Sequence, residues 1–363
     1  MPEIELRGVA MRFGPVTAAE EVNVKIAHGE YVTVLGPSGC GKTTLAKIIS
    51  GIWKPTEGAV FIDGKPMAGV PTYERGIGYV FQNIALFPHM TVRRNVTYSP
   101  IVKGKADEAD KIADGMLSKV NMSSHTERLP SELSSGAQQK VGIARALASE
   151  SKIVIFDEPL SALDARVRVA LRYELRRYAK GLGLTAIHVT HDQEEAMSVS
   201  DRILVMRAGR IIEEGSPEDL YERPRSLFTA NFIGEMNFIE TTIIERHDVY
   251  ALAIARDGTI ISVFDPDGAC KAGNPVVVAC RPENCSIALE GNGLPGKMQS
   301  EVFMGSYVRY KALLDTGEEF IVDSQAELGT LKKGDAVRVT MDPDRCLTYP
   351  TPREGLAEVL KLE

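Results

Sequence analysis

Up to about residue 234, short apolar runs alternate with longer segments whose apolar positions recur every three or four residues. The runs Tyr31-Val32-Thr33-Val34-Leu35, Gly78-Tyr79-Val80-Phe81, Ile153-Val154-Ile155-Phe156 and Thr185-Ala186-Ile187-His188-Val189 predict buried strands. Helical spacing marks four intervening segments. They are Leu45 through Ile48 and Ile49 to a stop at Gly51, and residues 106–120 with Ile112, Met116, Leu117 and Val120. The others are Val141, Ile143, Ala144 and Leu147, and Val167, Leu171, Leu175 and Tyr178 ending near Gly181. Ahead of these, Ile4 to Gly29 reads as short alternating strands turning at Phe13-Gly14-Pro15, and after the first helix Ala59-Val60-Phe61-Ile62 leads into an Asp63-Gly64 hairpin turn. From Asn237 onward the pattern changes to short strands with turns at Asp257-Gly258 and Thr316-Gly317, an all-β, barrel-like signature. A chain of 363 residues exceeds one hydrophobic core, so two domains are expected.

The stretch joining the first buried strand to the first helix carries the chemistry. Gly36, Pro37, Ser38, Gly39, Cys40, Gly41, Lys42, Thr43 and Thr44 satisfy the phosphate-loop spacing G-x-x-x-x-G-K-[ST]. Glycines there let successive N–H groups converge on one anion, and the helix N-terminus adds partial positive charge. Lys42 would reach the β- and γ-phosphates and the Thr43 hydroxyl would coordinate Mg2+. Cys40 lies inside this loop, where N–H groups and Lys42 should favour its thiolate.

Three further features converge on the same strand ends. The apolar run 153–156 delivers Asp157 and Glu158, and burying paired acids for packing alone is unfavourable. One carboxylate can stand behind the direct ligands of the Mg2+ held by Thr43 while the other polarises the attacking water, a Walker B pattern. The strand at 185–189 ends at Thr190-His191-Asp192-Gln193, where Thr190 and Gln193 fit a capping box and His191 falls at the ligand-binding edge of the sheet. Gln82 leaves a strand end and either satisfies backbone groups or ligates a metal. By position Phe13 reads as core, with base stacking as the alternative. Leu133-Ser134-Ser135-Gly136-Ala137 opens another helix with small residues, a second anion site. One chain with two phosphate sites but a single Lys42 fits a dimer, each nucleotide lying between Lys42 of one chain and Ser134 of the other.

Composition adds boundaries. Apolar content of 44% and charged content of 25% are ordinary for a globular chain. The beginning Met1-Pro2-Glu3-Ile4-Glu5 has no signal-peptide pattern, and no apolar run reaches the length of a membrane span. Cys40, Cys270, Cys280, Cys285 and Cys346 form no metal or disulfide framework and read as reduced, buried thiols of a cytoplasmic protein, with a Cys280–Cys285 pair as the alternative. From Asn237 the chain carries 13 Lys/Arg against 20 Asp/Glu, which accounts for the whole net charge of −7. So acidic a domain argues against a nucleic-acid partner.

Residues 1–234 resemble the nucleotide-binding subunit of an ATP-binding-cassette transporter, with every motif in order. Phe13 matches the aromatic A-loop, residues 36–44 the Walker A, Gln82 the Q-loop and Leu133 to Ala137 the signature. Asp157 and Glu158 match the Walker B, Asp164 ends the D-loop, and His191 is the switch histidine. The resemblance implies Glu158 as catalytic carboxylate, Gln82 as sensor of Mg2+ and the membrane partner, and His191 on the γ-phosphate. Two positions depart from the family's L-S-G-G-Q: Ser135 replaces a glycine and Ala137 the glutamine, unless a one-residue slip is accommodated in the following helix.

The part from 235 to 363, with its Arg281-Pro282-Glu283, resembles the oligonucleotide-binding-like (TOBE-type) regulatory domain of maltose and other sugar importers' ATPase subunits; related ATPases for polyamines, ferric iron, sulfate or molybdate have similar tails, so the resemblance does not name the cargo. The implied fold is thus an α/β P-loop NTPase cassette, a mixed sheet with a helical subdomain at about 83–150, followed by an all-β OB-like domain. Its implied work is ATP hydrolysis energising import of a sugar or other small solute. Its implied partners are a second ATPase subunit, membrane permeases and, indirectly, an extracytoplasmic solute-binding protein. Its implied place is the cytoplasmic face of the membrane. Two rival classes are a cassette ATPase of DNA repair or translation, whose long coiled-coil insert or second cassette is not seen here, and a non-hydrolysing regulatory subunit.

Overall fold

The computed structural model describes residues 2–83, 85–161, 163–265, 271–325 and 331–362. Ala162 and Cys270 lie outside the described residues. The chain forms two compact units that divide between Glu218 and Asp219.

The N-terminal unit is built on two sheets. The long strands β1 (Ile4–Phe13) and β2 (Val16–Ile26), not short ones as the sequence suggested, pair as a hairpin through Gly14. With β4 (Glu57–Ile62) and β5 (Lys65–Pro66) they make an antiparallel sheet of order β2-β1-β4-β5. Asp63 and Gly64 both take positive φ, 52° and 72°, as the expected tight hairpin between β4 and β5 requires.

The second sheet contains β3 (Tyr31–Leu35), β6 (Ile77–Val80), β7 (Ile153–Asp157), β8 (Thr185–Thr190), β9 (Arg202–Arg207) and β10 (Arg210–Gly215), in the order β10-β9-β3-β8-β7-β6. All its pairings are parallel except the β9–β10 hairpin. The continuous apolar runs follow from burial of both faces. Val32, Val34, Ile153 and Ile155 join a core with Ile48 and Ile49 of α1 (Lys42–Ser50) and with Ile4, Val24 and Val60 of the antiparallel sheet. Tyr31, Val154 and Phe156 face the other way. There they meet Leu171 and Leu175 of α5 (Ala165–Gly181) and the apolar sides of α2 (Val92–Val102), α3 (Ala109–Lys119) and α4 (Ser135–Ala148). The helical segment therefore shares its core with the sheet that carries the strand ends.

The C-terminal unit is all-β and OB-like apart from short helices. Two antiparallel sheets contain β11 (Asn237–His247), β12 (Tyr250–Ala255), β13 (Ile260–Phe264), β14 (Pro275–Cys280) and β20 (Leu347–Pro350) in one, and β15 (Cys285–Ala288), β16 (Leu294–Phe303), β17 (Val308–Leu314), β18 (Glu319–Ser324) and β19 (Ala336–Met341) in the other. Ile239, Val278, Tyr310, Phe320 and Val339 form one core between them. The Arg281-Pro282-Glu283 motif proves to be a fastening. The Arg281 guanidinium lies over the Tyr221 ring and donates to the carbonyls of Tyr221, Ala230 and Glu235, while Tyr221 Oη donates to Glu283. Residues 219–235 are thereby tied to the barrel. Cys280, Cys285 and Cys346 are buried free thiols. Among the described residues no helix is long and apolar enough to cross a membrane.

Candidate active site

The parallel register brings the C-terminal ends of β3, β7 and β8 side by side: Leu35 pairs with Thr190, and Asp157 with Val189. The phosphate loop leaves β3 and opens α1, with Gly39 and Gly41 at φ 81° and 108°. Neither outer glycine of the motif has room for a side chain. A methyl at Gly36 would fall 2.2 Å from the Met206 carbonyl oxygen, and one at Gly41 would fall 2.0 Å from that of Ala18. Lys42 is buried and its ammonium donates to the carbonyls of Gly36 (2.9 Å) and Pro37 (2.8 Å), so it lies across the loop it would serve.

Thr43 Oγ1 donates to Asp157 Oδ1 at 2.8 Å, joining the loop to the end of β7. Asp157 is 4% exposed, a carboxylate nearly closed off from water. Its second oxygen accepts from Tyr79 Oη at 2.7 Å, a contact the sequence did not announce.

Glu158 sits one residue past β7 at φ 45°, a left-handed conformation held by its N–H donating to the Val189 carbonyl at 2.9 Å. Such backbone carries about 1–3 kcal/mol of strain and recurs where a side chain must be aimed. Gln82 Nε2 donates to Glu158 Oε2 at 3.0 Å, and His191 Nδ1 lies 3.4 Å from the same oxygen. The sequence left Gln82 between backbone satisfaction and metal ligation, and here it bonds the carboxylate.

His191 is half exposed, but the turn carrying it is anchored from within. Tyr31 Oη and His188 Nδ1 are 2.9 Å apart, and His188 Nε2 lies 3.1 Å from Glu195 Oε1. Thr190 Oγ1 donates to Glu195 Oε2 and accepts from the Asp192 N–H. The cap of α6 (Gln193–Val199) is therefore Asp192, which accepts from the Glu195 N–H, and not the expected Thr190–Gln193 box. Thr190 is withdrawn from capping because its hydroxyl serves the buried glutamate.

Two other expectations need correction. Phe13 is 43% exposed and meets the edge of Trp53 at 5.1 Å, so it is not a core residue. The thiol of Cys40 is buried, and burial pushes its pKa up despite the opposing pull of Lys42 and neighbouring N–H groups. It is not a favoured thiolate. Cys40 in the folded, nucleotide-free chain should accordingly alkylate more slowly than a free thiol in solution, and Cys40→Ser should lower labelling only after denaturation. Rapid labelling of Cys40 in the native state, by mass spectrometry, would contradict this.

Ser134 caps α4, its Oγ accepting from the Ala137 N–H at 3.3 Å, and the helix runs unbroken from Ser135. Asp164 caps α5 by accepting from the Val167 N–H at 3.1 Å. A methyl on Gly136 would fall 2.7 Å from Val167 Cγ1, so the two helix starts are in close contact. Lys42 and Ser134 are not joined by any hydrogen bond or ion pair described for the chain. Asn95 fixes the segment after Gln82, bonding Phe87 through both N–H and C=O and donating to the carbonyls of Met90 and Thr91.

The chain matches the model of the ABC transporter family over residues 19–161 and that of the TOBE domain over residues 278–348. It is 42% identical over 312 residues to the spermidine/putrescine import ATP-binding protein PotA 1 of Pseudomonas aeruginosa, covering 84% of each chain. The chain belongs to the ABC transporter family. Another similar ABC protein is the Fe(3+) ions import ATP-binding protein FbpC of Brucella abortus, 40% identical and covering 89% of this chain and 91% of that one. Among solved structures, the dimeric post-hydrolysis state of the ATP-binding cassette MJ0796 bound to ADP and Pi is 33% identical with a TM-score of 0.54, over 59% of this chain and 98% of that one. This ABC protein is thus an import ATPase subunit that binds ATP with Mg2+, its cassette followed by a TOBE domain.

Proposed function

We propose that this chain is the motor subunit of an importer, hydrolysing Mg-ATP in a head-to-tail pair with a second copy. The observation carrying the reading is the gathering of Lys42, Thr43, Asp157, Glu158, Gln82 and His191 at one sheet edge. Lys42 exchanges its two carbonyl partners for β- and γ-phosphate oxygens, which the loop N–H groups also hold. Thr43, bonded to Asp157, and Gln82, bonded to the adjacent Glu158, offer oxygen atoms that would hold a magnesium ion, and the ion would neutralise phosphate charge. Glu158 takes the proton of the attacking water, and His191 contacts the γ-phosphate. Phe13 stacks on the base. Ser134, Ser135 and Gly136 at the start of α4 cradle the nucleotide held by the other copy, with Asp164 beside them.

The segment at residues 83–130 is the proposed seat for membrane permeases, which places the chain at the cytoplasmic face of the membrane. The sugar-importer resemblance finds no support in the relatives reported above, which are named for polyamines and ferric iron. The proposed cargo is therefore a small solute delivered by an extracytoplasmic binding protein. Ser135 and Ala137 alone favour a weakly hydrolysing partner subunit, and the turnover of the isolated chain separates the two readings.

Trp53 is the single tryptophan and touches Phe13, so its emission should change when Mg-ATP binds. Lys42→Ala should weaken that titration by roughly 10- to 150-fold, the loss of about 1.5–3 kcal/mol for a charged hydrogen bond. Equal affinity in the variant would defeat the placement of the nucleotide.

A further inference from the structure

Among the described residues, the half-exposed ring of His191 has no hydrogen-bond or ion-pair partner except Glu158 Oε2, so its direction is set by the backbone on either side. Thr190 Oγ1 accepts from the Asp192 N–H at 3.0 Å, which folds the chain into a tight turn with His191 at its middle. Hydroxyl turns of this kind are ordinarily weak. Here the hydroxyl is held: Thr190 is 2% exposed, and its one proton goes to Glu195 Oε2, so toward Asp192 it can only accept. The Glu195 N–H donates in turn to Asp192 Oδ1, closing a cycle of three hydrogen bonds through the turn. Burial pushes the Glu195 carboxyl up, but His188, Thr190 and Arg172 together hold it below its ordinary value, so it stays an acceptor. One residue earlier on β8, the Val189 carbonyl accepts from the Glu158 N–H, so a single strand end orients both Glu158 and His191.

We propose that Thr190 is a positioning residue, locked by Glu195, that holds the His191 ring where the γ-phosphate comes to lie; this rests on the reading of His191 as the γ-phosphate contact. A contact offered by only a fraction of the conformers weakens binding by that fraction. Without the hydroxyl, the Asp192 N–H loses its partner inside the turn, and His191 spreads over several orientations. The loss falls on nucleotides that have a γ-phosphate and spares ADP. Nothing in the phosphate loop is altered, because Thr190 reaches the nucleotide only through its neighbour.

The test compares equilibrium affinities for a non-hydrolysable ATP analogue and for ADP, read from Trp53 emission in Mg2+, with ATP turnover measured alongside. His191→Ala is expected to cost the analogue roughly tenfold or more in affinity and ADP nothing. Thr190→Val, of the same shape, should cost the analogue about three- to tenfold and leave ADP binding as it was. In a chain where His191 is already alanine it should cost the analogue nothing more, since residues that act as a unit are not additive. Thr190→Ser keeps the hydroxyl and should restore both the analogue's affinity and turnover. Glu195→Leu, of similar bulk and unable to accept, should repeat the valine pattern and supplies the test should Thr190→Val not fold, which a loss of ADP binding would reveal. An unchanged preference for the analogue over ADP in the valine variant, a serine variant no better than valine, or a loss that persists without His191 would overturn the proposal. If His191→Ala leaves that preference unchanged, the γ-phosphate reading of His191 itself falls, and the proposal with it.

Discussion

Glu158→Gln is expected to lower ATP turnover by about 10²- to 10⁴-fold, the usual contribution of a positioned general base. ATP binding should survive. Glutamine has nearly the same shape, and its amide oxygen can still accept the bond from Gln82 that Glu158 Oε2 accepts at 3.0 Å. The left-handed backbone at this position is held by the bond to Val189 and not by the carboxylate, so the variant inherits the same aim. What disappears is the ability to take a proton from water. Without turnover, bound ATP should accumulate and trap a pair of chains. Phosphate release measured beside equilibrium ATP binding and light scattering checks all three parts, and unchanged hydrolysis would remove Glu158 from the base role.

Mixing two inactive variants is expected to restore activity if nucleotide lies between subunits. Lys42→Ala disables the loop side of a site, and Ser134→Arg places a bulky side chain at the start of α4. In a mixed pair both defects fall in one composite site and the other is intact. Under free exchange about half the pairs are mixed, so roughly a quarter of the wild-type activity should return if sites act independently. Mixtures that never exceed either parent, with subunit exchange verified, would rule the shared site out.

Much of this site could be read before any coordinates because its chemistry is local. Gly36, Gly41, Lys42 and Thr43 occupy one turn, and Asp157 and Glu158 end one apolar run, so spacing alone reveals them. Contacts set by strand order are another matter. Tyr79 meets Asp157 only because β6 pairs with β7, and nothing within either run signals that pairing. The His188–Glu195–Thr190 chain is hidden for a similar reason. Thr190 is well spaced to cap α6, and local spacing could not reveal that a buried glutamate claims its hydroxyl. Cys40 shows how tertiary burial overrides a local electrostatic argument, because the loop's positive surroundings are real but the thiol points into the core. For Phe13, hydrophobicity suggested an interior place, whereas the turn after β1 leaves the ring at the surface against Trp53.

The missing side chain at Gly136 has a mechanical consequence. Because Val167 fills the space where a Cβ would stand, the starts of α4 and α5 cannot shift toward each other and behave as one stiff rim. An incoming subunit would meet two helix starts already held against each other, and preorganised surfaces forfeit less entropy when they close.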